Sequence, residues 1–286
     1  MNNVLAIIGG SGLYSLPELN DVTPHRVTTP FGHPSSPVFE SRIGDTRLLF
    51  IARHGEGHVL LPSEVNYRAN VFALKQLGAT HLLSISAVGS LKEEIAPGDL
   101  VVTRQYIDNT HGRPGTFFGN GIVGHVMFAD PVCPELCQLL LNKAQARSYT
   151  VHDNATLVVM EGPAFSTRAE SMRHRQWGAH IIGMTAMPEA KLAREAELCY
   201  ATLALATDYD CWREGEEDVS VDGVMATFRS NVEKAGNMIV DVATELSTLP
   251  RGCGCPAALD TAVMTDRSLI PAAVKESLSP IFGRIL

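Results

Sequence analysis

YATLALATDYD, residues 200–210, is an apolar run without alternation that stops on two carboxylates one residue apart. A run of this kind suits a strand buried on both faces, as at the centre of a parallel sheet. Alternate side chains of a strand share a face, so Asp208 and Asp210 are expected to point the same way. Two ionised carboxylates in a poorly solvated place repel each other, and desolvation penalises both. The stretch is therefore either a solvated turn or part of a site.

The same pattern recurs along the chain. VLAIIGGSG (4–12), RLLFIARHGEGH (47–58), HLLSISAVGS (81–90), LVVTRQYIDNT (100–110), TLVVMEGPAFST (156–167) and HIIGMTAMPEA (180–190) are short apolar runs that end in small or polar clusters. Helical patterns lie between them. SEVNYRANVFALKQLG closes on a glycine, and MPEAKLAREAELCY carries helix formers behind a proline. Strands alternating with helices imply an α/β fold on a largely parallel sheet. Ligands of such sheets bind beyond the carboxyl ends of the strands. One site is thus expected from Ser11, Arg53, His54, Ser86, Glu161, Thr185, Asp208 and Asp210, and that convergence favours a site over a solvated turn.

Composition narrows the function. The chain has 286 residues, 45% hydrophobic and 19% charged, which is ordinary for a globular protein. Its net charge of -8 argues against nucleic acid, whose binding needs phosphate neutralisation by basic residues. MNNVLAIIGG breaks into glycines too early for a signal segment, and no apolar run approaches a membrane span, so a cytoplasmic location is expected and no membrane partner. The acidic run REGEED (213–218) reads as a solvated face.

Most of the six cysteines sit singly in apolar surroundings and read as reduced core residues. Cys253 and Cys255 form a CxC pair able to oxidise or to bind metal. No second ligand pair has zinc-site spacing, so free thiols and no structural metal are expected.

The clusters differ in what they specify. IIGGSG lacks the third glycine of a dinucleotide loop, since Ser15 stands there, but its backbone N–H groups and the Ser11 hydroxyl suit an anion. Arg53 offers a planar fork for phosphate oxygens, and His54 a donor chargeable near neutrality. With the hydroxyl and backbone donors of SAVGS they make a phosphate site. RHGE also resembles the strand-end motif of the histidine phosphatases, although it closes the second apolar run rather than the first.

IIGGSGLY, TPFGHPS, ARHGEGH, LPSEVNYRANVFALKQLG, SAVGSLKEEIAPGDLV, MEGPAFSTRAES, IIGMTAMPEAKLAREAELCYATLALATDYDCW and EEDVSV resemble the S-methyl-5'-thioadenosine phosphorylases, in the trimeric branch of the purine nucleoside phosphorylases. The resemblance runs from about residue 4 to 245. RGCGCPAAL with DRSLIP in the tail resembles members that carry a CxC pair. The resemblance implies a single α/β domain over 1–286, with 251–286 as a C-terminal tail, on a mixed twisted sheet flanked by helices. It implies phosphorolysis of 5'-methylthioadenosine to adenine and 5-methylthioribose 1-phosphate. Inorganic phosphate is then a co-substrate, with no metal or organic cofactor. It also implies a homo-oligomer, a trimer or a dimer of trimers.

Carried across by motif, phosphate is expected at Ser11, Arg53, His54, Ser86, Ala87 and Thr185. Met184 and Phe165 flank ribose and base, and Thr207, Asp208 and Asp210 face the purine. Val219, Val221 and Val224 wall the methylthio group, and His125 resembles a histidine lent by the neighbouring subunit. Asn109 and Ala164 depart from the family pattern outside the phosphate and base sets. Cleaving a ribosyl C–N bond builds negative charge on the purine, which a protonated carboxyl can neutralise. Asp210 is the expected general acid, with Asp208 tuning it. A 6-oxopurine nucleoside phosphorylase is the alternative within the same chemistry.

Overall fold

Each of the seven apolar runs becomes a strand in the computed structural model, which describes residues 3–10, 20–213 and 221–286, with the side chains of 20, 221–226, 228 and 229 left out. They are β1 (Val4–Gly9), β4 (Thr46–Ala52), β5 (His81–Ser90), β6 (Leu100–Asn109), β7 (Val151–Met160), β8 (Ile181–Gly183) and β9 (Cys199–Asp208). Two further strands, β2 (Asn20–His25) and β3 (Val38–Ile43), lie at one edge. They escape the search for continuous apolar runs because an edge strand meets water. β2 reads NDVTPH, and Arg42 of β3 is exposed.

The sheet order is β2-β3-β4-β1-β5-β8-β7-β6-β9, and β9 pairs back with β5. The strands β5, β8, β7, β6 and β9 therefore close a ring, from which β1 to β4 extend as an open wing. The expectation of a largely parallel sheet is corrected. β1, β4, β5 and β9 run parallel, whereas β8 runs antiparallel to β5 and β6 antiparallel to β9. The mixed sheet is the one the family resemblance implies.

One consequence positions the site. β5 pairs with β1 as far as Ser84 and with β8 only from Gly89 onward. Between them one edge of β5 has no strand partner among the described residues, and Ser86 and Ala87 fall in that gap. Ala87 is exposed within a strand whose first five residues are buried. Divergence of two neighbours from a central strand opens a crevice of the kind in which α/β folds bind ligands.

Helices cover the sheet: α1 (Tyr67–Gln76), α2 (Pro134–Ala146), α3 (Arg168–Gln176), α4 (Ala186–Glu195), α5 (Val221–Leu246), α6 (Ala272–Ser277) and α7 (Ser279–Phe282). Asn66 caps α1 by accepting from the Ala69 N–H, and Thr167 with Glu170 forms a capping box on α3. α5 packs on β9, and α2 packs on α5 and β9. The tail is not a detached extension: Leu259, Ile270, Ile281 and Phe282 are buried in the same apolar core as β1, β5 and β9. No described helix is long and apolar enough to cross a membrane.

The six cysteines are free thiols, as expected, but four of them do not sit singly. Cys133 caps α2, Cys199 opens β9, and Cys253 and Cys255 follow α5, yet their four sulfur atoms lie within 4.8 Å of one another. Three separate stretches of chain supply them, so a test for paired ligand spacing passes over the group.

Candidate active site

Arg53 follows β4 and is turned inward. Its Nε donates to Glu189 Oε2 at 3.1 Å, Nη1 to the Ile85 carbonyl at 3.0 Å, and Nη2 to Ser84 Oγ at 2.8 Å and the Ile8 carbonyl at 3.0 Å. Arg53 and Glu189 are both almost fully buried, and Glu189 also accepts from the Tyr200 hydroxyl at 3.1 Å. The guanidinium thus fills the gap between β1 and β5 and ties it to α4. Most of the planar fork anticipated for phosphate is spent on the protein, leaving one Nη1 hydrogen. Glu189 was not anticipated; its only sequence signal is its place in the MPEA segment that opens α4.

His54 is also changed by its surroundings. Burial lowers its pKa to about 4, and the neighbouring Arg53 acts in the same direction. Its Nδ1 lies 2.8 Å from the Leu60 carbonyl, which can only accept. The ring is therefore neutral near neutrality, with the proton on Nδ1 and a free lone pair on Nε2. The donor chargeable near neutrality that the sequence suggests is thus a neutral ring whose Nε2 can accept. His58 stacks on it at 4.4 Å.

Ser86 Oγ and Thr185 Oγ1 meet at 3.3 Å across the gap in β5. They meet because β8 runs back along β5, pairing Ile182 with Gly89, and so carries Met184 and Thr185 toward the middle of that strand. Thr185 leads into α4, whose backbone is not helical at Met187 (φ -113°, ψ 132°), so the regular helix begins only beyond that residue.

Arg113, absent from the expected set, holds this corner together. Its side chain is only 3% exposed and donates through Nη1 to the Met184 and Met187 carbonyls at 2.7 and 3.0 Å, and through Nη2 to the Glu161 carbonyl at 2.8 Å. Glu161 Oε2 accepts from Arg113 Nε at 3.0 Å and from the His111 N–H at 2.9 Å. Glu161 is thus committed to the protein and fixes Met184 through Arg113. Met184 rests on Gly162, where a Cβ would lie 2.6 Å from its sulfur. Phe165, in the same loop, is half exposed.

The carboxylates converge by a different route from the alternation expected. β9 ends at Asp208, and Asp210 adopts a left-handed φ of 52°. The Asp210 N–H donates to Asp208 Oδ1 at 2.8 Å, and Thr207 Oγ1 donates to Asp208 Oδ2 at 2.7 Å. Both side chains stand over Gly89, where a Cβ would meet Asp208 Oδ1 at 3.0 Å and Asp210 Cβ at 3.3 Å. Burial raises both pKa values; for Asp210 the nearby Ser171 hydroxyl works against burial, and the charge of Asp208 adds to it. Asp210 Oδ2 is buried without a hydrogen-bond partner among the described residues. Both carboxylates are half-buried, Asp210 in a turn, rather than fully solvated.

Gly89 lies three residues beyond Ser86 on one strand, so the carboxylates stand about 10 Å along β5 from the paired hydroxyls. That leaves room for one sugar between an anion and a base. His125 lies elsewhere, exposed in a loop whose His125 N–H donates to the Ala262 carbonyl at 2.8 Å. Ser11 and Val219 lie outside the described residues, as do the side chains of Val221 and Val224 on the first turn of α5.

Comparison with known proteins gives a consistent result. A profile of the Phosphorylase superfamily matches residues 4–244. The chain is 51% identical over 284 residues to S-methyl-5'-thioadenosine phosphorylase of Geobacter sulfurreducens, covering 99% of each chain. It is 48% identical over 284 residues to that of Koribacter versatilis, covering 99% of this chain and 97% of the other. A solved methylthioadenosine phosphorylase from an Antarctic soil metagenomic library superposes with a TM-score of 0.93 at 44% identity, covering 98% of this chain and 99% of that one. A mutant adenosine/methylthioadenosine phosphorylase from Schistosoma mansoni, in complex with methylthioadenosine, superposes with a TM-score of 0.82 at 40% identity, covering 87% and 93%.

Proposed function

The chain belongs to the phosphorylase superfamily, and from that premise we propose that it is a pentosyltransferase cleaving 5'-methylthioadenosine with inorganic phosphate, giving adenine and 5-methylthioribose 1-phosphate. One observation carries the reading. Among the described residues the buried Oδ2 of Asp210 has no hydrogen-bond partner, and Gly89, over which Asp210 stands, lies three residues along β5 from Ser86, whose hydroxyl meets that of Thr185.

Phosphate occupies the crevice beside Ser86, Ala87 and Thr185, with Ser11 as a further donor. There it meets the remaining Arg53 hydrogen. Neutral His54 accepts a phosphate hydroxyl at Nε2. The bound anion stabilises positive charge on the ribosyl carbon and attacks it as the C–N bond breaks. Negative charge passes to the purine. Asp210, its pKa raised by burial and by Asp208, delivers a proton to N7. Thr207 and Asp208 complete the base side, Met184 and Phe165 flank the nucleoside, and Val219, Val221 and Val224 wall the methylthio group. No metal or organic cofactor enters the chemistry.

We take residues 1–286 as one domain and place the enzyme in the cytoplasm as a homotrimer or a dimer of trimers. Val123, Met127, Met264 and Leu269 are exposed apolar side chains near His125 or the tail that holds it, as suits a subunit contact. His125 then completes a neighbour's site.

Incubation with methylthioadenosine, with and without phosphate, and detection of free adenine tests the reading. Adenine release only with phosphate supports it. Equal release without phosphate makes the protein a hydrolase, and release only from methylthioinosine makes it a 6-oxopurine enzyme.

A further inference from the structure

Four thiols from distant positions meet on the side of the molecule where the tail joins the sheet. Cys133, Cys199 and Cys255 are buried and Cys253 half buried. Cys199 Sγ and Cys253 Sγ are 3.4 Å apart, and all four sulfurs lie within 4.8 Å of one another. Small buried cysteines usually pack singly among apolar side chains. Cys137 does so: it is fully buried one turn further along α2 and stays outside the group. The convergence is therefore more than a cysteine-rich core.

The geometry points to a structural site for one thiophilic divalent ion, zinc, held by Cys133, Cys199, Cys253 and Cys255. Four sulfurs placed tetrahedrally around zinc at about 2.3 Å stand about 3.8 Å apart, within the spread observed. A cluster of several irons would need them further apart. Four sulfur ligands in tetrahedral array select zinc over the hard cations, which take oxygen. All four positions are filled by protein, so the ion has no open position for substrate and serves the fold rather than the reaction.

Charge balance agrees. One zinc ion replaces four thiol protons, which leave to solvent, and the site then carries a charge of -2. Arg194 lies within electrostatic range of Cys255, and Lys75 of Cys199, so cations flank the group. The backbone around the ligands is already fixed: the Cys133 N–H donates to the Tyr200 carbonyl at 2.7 Å, and the Cys199 N–H to the Thr80 carbonyl at 3.0 Å. The ion would clamp the start of the tail to the first residue of β9 and the N-terminus of α2. The same tail presents the Ala262 carbonyl to the loop of His125 and the Leu259 N–H to Glu197.

The test uses the full chain, reduced with a phosphine and supplied with Zn2+ alone. After gel filtration, one zinc per chain is expected, together with protection of four thiols from alkylation. Co2+ in its place should give the absorption of a tetrahedral thiolate site. The double variant Cys253→Ser/Cys255→Ser should retain less than a tenth of the zinc, whereas Cys137→Ser should retain all of it. Should the double variant fail to fold, the cobalt spectrum of the unaltered chain still decides. A reduced, folded chain that retains no zinc overturns the proposal. So does equal retention by the double variant, or a cobalt spectrum without thiolate character.

Discussion

The backbone N–H of Asp210 donates to Oδ1 of Asp208 at 2.8 Å, so one carboxylate fixes the turn that aims the other. Asp208 thereby spends both oxygens on the protein, one on this N–H and one on Thr207, while Oδ2 of Asp210 has no hydrogen-bond partner among the described residues. The two aspartates are unequal by construction: one is an orienter and one is open to a ligand.

Asp210→Asn should remove the transferable proton and lower kcat/KM on methylthioadenosine by about 10²–10⁴-fold, the usual worth of a general acid. An amide can present its NH2 to an O6 acceptor, so the residual activity should shift toward methylthioinosine. Kinetics on both nucleosides for both proteins check it. Unchanged preference in the variant would remove Asp210 from base recognition.

Gly89→Ala tests the floor beneath the carboxylates. The added methyl meets Asp208 Oδ1 and Ile182 Cγ2, each at 3.0 Å. Overpacking of this kind costs about 1–3 kcal/mol. A displacement of Asp208 approaching 1 Å should cost about 100-fold in kcat. Thermal unfolding and kcat measured on the same sample separate the two effects.

Glu189→Gln should leave the Arg53 charge buried with its ion partner gone, destabilising the chain by about 3–5 kcal/mol in denaturant titration. A loss below about 1 kcal/mol would mean that Arg53 relaxes toward the crevice.

Stability should depend on pH through Glu195. Burial pushes its carboxyl up to about 7 from 4.5, against hydrogen bonds from the Phe117 N–H and the Thr116 hydroxyl. Between those values the folded state binds more protons than the unfolded one. This group's contribution therefore falls as pH rises through that window, by at most about 3 kcal/mol. Glu195→Gln should flatten that slope in urea midpoints measured on either side of the window.

His125→Ala should raise the nucleoside KM by about tenfold, one hydrogen bond's worth, with the oligomer intact by sedimentation. An active monomer would refute its role in a neighbour's site.

Much of this was legible in residue order. Continuous apolar runs mark seven strands because burial on both faces leaves no polar alternation. The residues that stop those runs mark the crevice because strand ends are where a sheet meets solvent. The edge strands β2 and β3 were illegible to that criterion, since a solvated strand needs few apolar residues.

What the sequence alone determined is the set of local commitments: which segments extend or coil, where each run ends, and which side chains carry phosphate or base chemistry by motif. Tertiary structure decided what those side chains have left to offer. Arg53 reads as a free fork until Glu189, Ser84, Ile8 and Ile85 surround it. His54 reads as a donor chargeable near neutrality until burial makes it neutral and the Leu60 carbonyl fixes its proton on Nδ1, leaving Nε2 an acceptor. Four cysteines up to 122 positions apart become one group only when α2, β9 and the tail are packed together. Propensity and periodicity act between neighbours in the chain, whereas desolvation, hydrogen-bond competition and ligand convergence depend on neighbours in space, which no local spacing encodes.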